Sequence, residues 1–353
     1  MNPHAHVRSL PPEGVHACLE AARRWHPMRR NLIAPLFAAA VISLALAATL
    51  AQAQTAVWPT KPVKIVVTFP PGGAPDTLAR VLADKWSQSL GQPFTVDNKA
   101  GAGGNIGSDF VAKSPGDGTT LLVGTVGTHA INPALYPNIP YNNIKDFTPV
   151  SFLAATPNLL VVNNTVPAKT VKELIELARK TPLTFGSSGS GTSIHLSGEL
   201  FNTMAGVHMQ HIPYKGRAQA VPDLLGGRIT MIFDNMPSAL PLVKSGDVRA
   251  IAVTSATRSP AAPNIPSFTE SGLPEVVATS WFGLSAPKDT SPEIINLLAS
   301  ALAKAVDDKA FQARMLADGA VARSMSSKDF ADYIKRDNER WGKIVRESNI
   351  EAE

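Results

Sequence analysis

Cysteine is almost absent from this 353-residue chain, and its one example, Cys18, lies in a segment that we predict to be removed. A mature chain without cysteine has no disulfide, no thiolate metal site and no cysteine nucleophile, whatever the redox state of its compartment. Charge is scarce as well, because charged residues make up 17% of the chain while hydrophobic residues make up 44%. That balance excludes a disordered chain, and the length suggests two domains.

Residues 1–53 have the order of features that is typical of an export signal. The basic pair Arg29-Arg30 precedes the uncharged run Leu32 to Leu50, and the small-residue site Ala51-Gln52-Ala53 follows it. We predict a cleaved signal peptide that ends near Ala53 and uses general secretion, with a twin-arginine signal as the alternative. The run is also long enough for a retained membrane anchor. Met28 is an alternative start, which would leave residues 1–27 outside the protein.

Removal of the signal changes the charge balance. The mature chain keeps 28 basic and 26 acidic side chains, so its net charge is +2 instead of the +5 of the full sequence. The basic character of the full sequence therefore owes much to the signal. A nearly neutral chain has no strong electrostatic attraction to phosphate backbones, and no nucleic-acid partner is predicted.

Along the mature chain, apolar runs alternate with segments of helical period, as in α/β domains with a mainly parallel sheet. After a late strand at Val277 to Ser285 the pattern is helical, with helices predicted at residues 292–306, 309–317 and 327–347. Terminal helices without strands of their own must pack on a sheet formed earlier. We therefore expect the chain to cross twice between two lobes, with a hinge at the crossings. The first lobe is predicted at residues 54–157 and 278–353, and the second at residues 158–277.

Three Gly-rich loops each follow a predicted strand and open a predicted helix, at residues 70–77, 99–107 and 186–193. In open α/β sheets ligands bind beyond the carboxyl ends of strands, where free N–H groups at helix starts favour anions. The second loop has Ile106 where a dinucleotide motif needs its third glycine, and the third has Thr192 where a phosphate-binding loop needs lysine. The third loop is therefore a nest of donors that suits a carboxylate.

Two other interpretations stay open from the residues alone. A secreted hydrolase would use Ser188 or Ser190 with His195 or His129, and it needs a serine oxygen within hydrogen-bond reach of a histidine nitrogen. A scaffold with a degenerate cleft would reduce the loops to capped turns and a flexible connector. The four histidines of the mature chain lack the i, i+4 spacing of a helical metal site, and neither a metal nor a cofactor is predicted.

Several motifs resemble those of one known family, in the family's order. They are Trp58-Pro59 with Lys61-Pro62, Phe69-Pro70-Pro71-Gly72-Gly73 with Asp76, Gly101-Ala102-Gly103-Gly104-Asn105-Ile106-Gly107, Gly191-Thr192-Ser193-Ile194-His195-Leu196, Pro213-Tyr214-Lys215-Gly216 and Phe233-Asp234-Asn235. Over residues 58–350 the chain is similar to the tripartite tricarboxylate transporter receptors, the Bug family of periplasmic solute-binding proteins. The resemblance implies a type II periplasmic-binding-protein fold, in which two α/β lobes joined by a two-strand hinge close like a Venus flytrap on a small solute.

The resemblance also implies a ligand site, made largely of backbone donors on these loops. Its residues are Phe69, Gly73, Asp76, Asn105, Thr128, His129, Ser187, Ser188, Gly191, Thr192, Ser193, Tyr214, Arg217 and Asp234. Arg217 departs from the family, which has a small residue there. It would either pair with a second carboxylate of the ligand or lie solvated at a helix start.

The partners that the resemblance implies are a small organic mono- or dicarboxylate and the membrane subunits of a tripartite transporter. A role as a sensor is the alternative to delivery. We expect a periplasmic monomer without catalytic activity. The sequence does not choose among carboxylates, because backbone donors recognise the carboxylate group and not the rest of the molecule.

Overall fold

The computed structural model describes residues 58–347 and residue 350. The predicted export signal, its cleavage site, both candidate start residues and Cys18 lie outside the described residues. Within the described part of the chain, we find no helix with the length and apolar character needed to span a membrane.

The strands of the described chain join into one curled sheet. They are β1 (Val63–Val67), β2 (Phe94–Asn98), β3 (Thr120–Thr125), β4 (Phe147–Asn163), β5 (Thr184–Ser187), β6 (Gln210–Pro213), β7 (Met231–Asn235), β8 (Val248–Val253), β9 (Thr279–Pro287) and β10 (Val321–Ala322). Their order is β2-β1-β3-β9-β4-β7-β5-β6, and β8 and β10 pair with β4 outside that path.

Helices connect most of these strands and form much of the C-terminal part. They are α1 (Ala74–Ser89), α2 (Asn105–Ala112), α3 (Asn132–Leu135), α4 (Val171–Lys180), α5 (Ser193–Ala205), α6 (Arg217–Leu225), α7 (Met236–Ser245), α8 (Pro292–Asp307), α9 (Lys309–Ala317) and α10 (Ser327–Glu347). A 3₁₀ turn at Ala102–Gly104 precedes α2, and a π-helical turn at Gly127–Ile131 precedes α3.

The first lobe is built on β1, which pairs in parallel with β2 on one side and β3 on the other. A strand in this position is covered on both faces, and four of its five residues are buried. The apolar stripe of α1 is buried as well, and Trp86 on it makes an edge-to-face contact with Phe94 of β2 at 5.3 Å between ring centroids. This packing fixes the start of α1 just beyond the carboxyl end of β1.

The second lobe shares strand β4 with the first. Residues of β4 from Phe147 to Pro157 pair with β9, whereas residues from Asn158 to Asn163 pair with β7 and β8. The second crossing leads into β9 through Ala278, whose N–H donates to the carbonyl of Thr254 at 3.1 Å. The two crossings are therefore β4 and the start of β9. The boundaries predicted from the sequence for the two lobes, at residues 54–157 with 278–353 and at residues 158–277, stay a prediction.

Aromatic side chains fill a core in each lobe. In the second lobe, Phe233 lies 5.8 Å from Phe201 and 6.1 Å from Phe268, between ring centroids. In the first lobe, Phe330 of α10 lies 5.7 Å from Trp281 of β9, and the Trp281 Nε1–H donates to Asp337 of the same helix at 2.6 Å. Burial of a large apolar side chain stabilises the fold by roughly 2–3 kcal/mol. The terminal helix is thus anchored on the strands of the hinge.

Candidate ligand-binding cleft

One cavity lies between the two lobes and contains about 510 Å³ of atom-free space, part of it open to solvent. From the first lobe and the hinge it is lined by Phe69, Pro70, Gly73, Ala74, Pro75, Thr125, Val126, Gly127, Ser280 and Phe282. From the second lobe it is lined by Ser188, Thr192, Ser193, Ile194, Arg217, Asp234, Asn235 and Ser238. Most of the wall is apolar, so the polar groups that do reach it define where a polar ligand atom can bind.

The start of α1 forms one side of the cavity. Gly73 precedes the helix and Ala74 and Pro75 open it, and the first N–H groups of a helix have no partner within the helix. Asp76 in this turn points to the protein, because its carboxylate accepts hydrogen bonds from the Gly72 N–H at 3.0 Å and from Arg80 at 2.9 Å. Burial acts to raise the pKa of Asp76, but the bond from Arg80 and the other hydrogen bonds lower it below its ordinary value.

The start of α5 forms the opposite side. Thr192 caps this helix, since its Oγ1 accepts from the His195 N–H at 3.2 Å and donates to the Gly189 carbonyl at 2.8 Å. Gly191 before it has a left-handed φ of +82°, and a Cβ there would meet the Asn132 side chain at 2.1 Å, so glycine is required. Ser193 and Ile194 both line the cavity, and as first residues of the helix their N–H groups have no partner within it.

Beneath these helix starts, a buried hydrogen-bond network joins both hinge strands. Asn235 Nδ2 donates to Asn158 Oδ1 at 2.6 Å and to Ser280 Oγ at 2.7 Å. Asn158 Nδ2 donates in turn to Ser197 Oγ at 2.8 Å, and the hydroxyls of Ser193 and Ser280 share a hydrogen bond. Because buried polar groups are costly unless paired, this network fixes α5 relative to β4 and β9. A change at the cavity floor therefore reaches the hinge directly.

An ion pair lies at another part of the wall. Arg217, the first residue of α6, donates from Nε to Asp234 Oδ2 at 2.6 Å and from Nη2 to the Ser238 carbonyl at 2.7 Å. The side chains of Arg217 and Asp234 are 19% and 3% exposed. Burial raises the pKa of Asp234, and the Arg217 guanidinium opposes that rise. Arg217 is thus held in the wall of the cavity by protein partners and is not the solvated side chain of the alternative hypothesis.

The cavity includes half of the ligand residues that the family resemblance implies. The seven are Phe69, Gly73, Ser188, Thr192, Ser193, Arg217 and Asp234. Tyr214 lies instead on an adjoining cleft, which shares Phe69 and Ser188 with the cavity and is also lined by the second Gly-rich loop, at Gly101 to Gly104. The first and third loops therefore meet at one cavity, and the second loop borders its neighbour.

The remaining implied residues hydrogen-bond to the protein around the cleft. Asn105 Oδ1 accepts from Asn132 Nδ2 at 2.7 Å and from the Tyr141 hydroxyl at 2.9 Å. Thr128 Oγ1 accepts from the Thr125 N–H at 3.0 Å, which ties the end of β3 to the π-helical turn. Both residues are buried and line neither the cavity nor the adjoining cleft. Their observed role is to shape the loops, as it is for Asp76 and Gly191.

A catalytic serine and histidine pair was the main alternative, and its predicted members do not meet. In the described chain, neither Ser188 nor Ser190 hydrogen-bonds to a histidine, and His195 Nδ1 accepts from the Gly191 N–H at 3.3 Å. Ser187 Oγ does lie 2.7 Å from His211 Nε2, but it also accepts from the Gly189 N–H at 3.0 Å. Ser187 is fully buried and lines neither cavity, whereas a nucleophile must reach its substrate.

His129 is buried as well, but in the first lobe, where its ring packs against Phe147 and Trp281. Its Nδ1 lies 3.0 Å from Thr128 Oγ1 and its Nε2 lies 3.3 Å from Ser285 Oγ, beneath strand β9. Burial lowers the pKa of His129 to about 4, so the ring is neutral at physiological pH. A neutral, fully enclosed imidazole at this place supports the packing of β3 on β9.

Eleven of the cavity residues were not among the implied ligand residues, and they include Asn235, Ser238, Ser280 and Phe282. Asn235 belongs to the motif Phe233-Asp234-Asn235, so its neighbour Asp234 was the available signal. Ser280 and Phe282 lie on the strand that was predicted to cross between lobes. A cleft between two lobes ends at the hinge, so the residues of a strand that crosses between lobes are expected to line the cleft. That expectation would have identified both residues.

Comparisons with known proteins agree with this fold. The family model described as the tripartite tricarboxylate transporter family receptor matches residues 78–350. The protein BugT of Bordetella pertussis is 39% identical over 316 residues, which are 89% of this chain and 97% of that protein. A solved R. palustris structure with adipate is 39% identical with a TM-score of 0.82, over 83% of this chain and 99% of that one. The protein MatC of Rhodopseudomonas palustris, solved with bound malate, is 32% identical with a TM-score of 0.77, over 82% and 100% of the two chains.

Proposed function

This chain belongs to the tripartite tricarboxylate transporter receptor family, and we propose that it is a periplasmic receptor that captures a small organic carboxylate between its lobes. The observation that carries the proposal is that the starts of α1 and α5, which belong to opposite lobes, line one cavity. Unpaired N–H groups at helix starts bind anions. Related proteins solved with adipate and with malate support a carboxylate as the ligand.

In the proposed complex, the carboxylate lies between the first turns of α1 and α5. Gly73 allows the backbone to approach it closely, and the N–H groups of Ser193 and Ile194 donate to it. The apolar wall of Val126 and Phe282 packs against the hydrocarbon part of the ligand. Closure removes water from the cavity, and each donor contact becomes stronger in the drier surroundings.

The proposed receptor works in the periplasm as a monomer, after cleavage of its signal near Ala53. It would hand its ligand to membrane subunits of a tripartite transporter or act as a sensor. We infer no catalytic step, and the observation that supports this is the position of the Ser187 and His211 pair outside the cavity. The lobes would turn about β4 and the start of β9, where the buried network joins them.

A thermal-shift screen on the protein from Gln54 onward tests this function. Organic acids are compared with the primary amides of the same carbon skeleton, which keep the shape but lack the charge. A ligand that binds only the folded state adds about 2.7 kcal/mol of stability at a concentration one hundred times its Kd. We expect at least one acid to raise the Tm while its amide does not. If no acid raises the Tm, or if the protein hydrolyses esters at a rate that depends on Ser187, the receptor function is wrong.

A further inference from the structure

The ion pair of Arg217 and Asp234 leaves one part of the guanidinium unused. Nε and Nη2 are held by Asp234 and by the Ser238 carbonyl, and Nη1 makes no hydrogen bond within the described chain. Arg217 lines the cavity, and its anchoring at two points fixes the direction of the remaining donors. A preorganised donor of this kind loses little conformational entropy when a ligand atom accepts from it.

Ser238 lies beside it with a second unused group. Its residue is 8% exposed, it lines the cavity, and its buried Oγ has no hydrogen-bond partner among the described residues. A buried hydroxyl that stays unpaired is costly, so a ligand oxygen that pairs with it would gain binding free energy. Arg217 and Ser238 therefore form a small polar subsite in a wall whose surface is mostly apolar.

The charge of this subsite limits what it accepts. Arg217 and Asp234 cancel each other, so a carboxylate placed against Nη1 would leave an uncompensated negative charge in a buried site that already holds the Asp234 carboxylate. An uncharged oxygen avoids that cost. A ligand hydroxyl can accept a hydrogen bond from Arg217 Nη1 and either donate to Ser238 Oγ or accept from it, and the net charge of the site stays the same.

We propose that Arg217, Asp234 and Ser238 contact the end of the ligand opposite its bound carboxylate. They favour a monocarboxylate with a hydroxyl at that end over the dicarboxylate of the same length. The apolar residues Val126, Ile194 and Phe282 would enclose the carbon chain between the two ends. This inference rests on the proposed carboxylate receptor function and adds the chemical class of the ligand's second end.

Calorimetric titration with matched straight-chain acids tests the proposal. The set is hexanoate, 6-hydroxyhexanoate and adipate, together with the homologues one carbon shorter and longer. We expect the hydroxy acid to bind at least about tenfold tighter than the dicarboxylate at the best chain length, because like charges side by side are strongly disfavoured. Equal or tighter binding of the dicarboxylate would overturn the selectivity and leave the receptor function intact. If no acid in the set binds while another carboxylate passes the thermal-shift screen, the selectivity proposal alone fails.

Substitutions identify the residues responsible. Asp234→Asn removes the negative charge and leaves Arg217 uncompensated, so the preference should move towards the dicarboxylate by about tenfold or more. Asp247→Asn, the same change at an exposed position, should leave the preference as it is. Ser238→Ala should weaken the hydroxy acid and leave hexanoate unchanged, and it serves the test if Asp234→Asn does not fold. An unchanged preference in a folded Asp234→Asn variant, or an equal loss for all three acids in Ser238→Ala, would contradict the proposal.

Discussion

Because three histidines are buried, we expect the free energy of unfolding of this protein to decrease at acidic pH. Burial lowers the pKa of His129 and of His211 to about 4, and burial together with the neighbouring His211 lowers the pKa of His195 to about 3. The rings of His195 and His211 stack with their centroids 4.0 Å apart. A positive charge on one of two stacked imidazoles disfavours protonation of the other, so the neutral form of both rings is favoured.

The sign of the pH dependence follows from these shifts. A histidine in the unfolded chain takes up its proton near pH 6.5, well before the folded protein does. The stability is therefore complete above about pH 6.5 and is lost as the pH falls towards the folded pKa values, by roughly 2 kcal/mol per histidine at pH 5. Asp234 acts in the opposite sense, because its raised pKa lets the folded state take up a proton first.

We therefore predict that the free energy of unfolding in urea falls by several kcal/mol between pH 7 and pH 5. His129→Gln should lower the number of protons taken up on unfolding by about one, and so reduce the slope of the free energy of unfolding against pH. His208→Gln, at an exposed position, should leave that slope unchanged. A stability that stays constant over this range would show that the three imidazoles are not held neutral by burial.

The cap of α5 gives a second prediction at the residue scale. Thr192→Val keeps the shape of the side chain but removes the oxygen that accepts from the His195 N–H, and loss of such a cap costs about 1 kcal/mol of stability. The same change at Thr170, whose Oγ1 accepts from the Glu173 N–H at the start of α4, should cost a similar amount. Only Thr192→Val should also weaken carboxylate binding in calorimetry. Equal affinities of the two variants would place the ligand away from α5.

The sequence could not have assigned roles to single residues within the loops. Asn105 lies in a Gly-rich motif that suggests ligand contact, yet its partners Asn132 and Tyr141 come 27 and 36 residues later in the chain. Whether a polar side chain faces the ligand or the protein depends on which distant group comes within 3 Å of it. Periodicity and spacing contain no such information.

At the scale of elements, close approach between the lobes depends on glycine. A Cβ at position 216, just before α6, would lie 2.5 Å from the Pro70 ring of the first lobe. The Tyr136 hydroxyl also donates to the Ser190 carbonyl across the same gap, at 2.9 Å. These contacts place the two lobes against each other beside the cavity, which Pro70 lines, and the adjoining cleft, which Tyr136 lines.

Gly216→Ala should therefore hinder closure and weaken ligand binding by roughly tenfold, because the bound state requires the closed one. The control is Gly246→Ala, where φ is +79° but a Cβ would meet no atom within 4 Å, so the substitution adds backbone strain without a clash between lobes. Calorimetry on both variants separates the two effects. An affinity that falls equally in both would show that strain, not closure, is responsible.

Elements with a long period or a strong breaker were predictable from the sequence. The helices predicted at residues 309–317 and 327–347 have these limits in the structure. The apolar runs at Val150 to Ala154 and at Asn158 to Val162 predict two separate extended segments. In the structure β4 continues through both, because Pro157 still pairs with Thr279 of β9. The two-residue strand β10 and the π-helical turn at Gly127–Ile131 are too short to leave a periodic signal.

For the whole molecule, the alternation of strands and helices and the late strand correctly indicated two α/β lobes. The sequence also predicts that glycine-bearing helix starts hold the ligand, and this stays a prediction. It could not say which of the three loops would share a cavity, because that depends on how far the lobes close about β4 and β9. The first and third loops meet, whereas the second, at Gly101 to Gly104, lines the adjoining cleft with Tyr214.

The central claim is that helix starts from both lobes grip one carboxylate, and the most direct test is amide NMR of the protein from Gln54 onward during titration with the best acid of the screen. The N–H signals of Ala74 in α1 and of Ser193 and Ile194 in α5 should shift together and saturate at one Kd. Val171 and Lys172, at the start of α4, should not move. Shifts confined to one lobe, or a matching response to the uncharged amide of the same acid, would contradict the account.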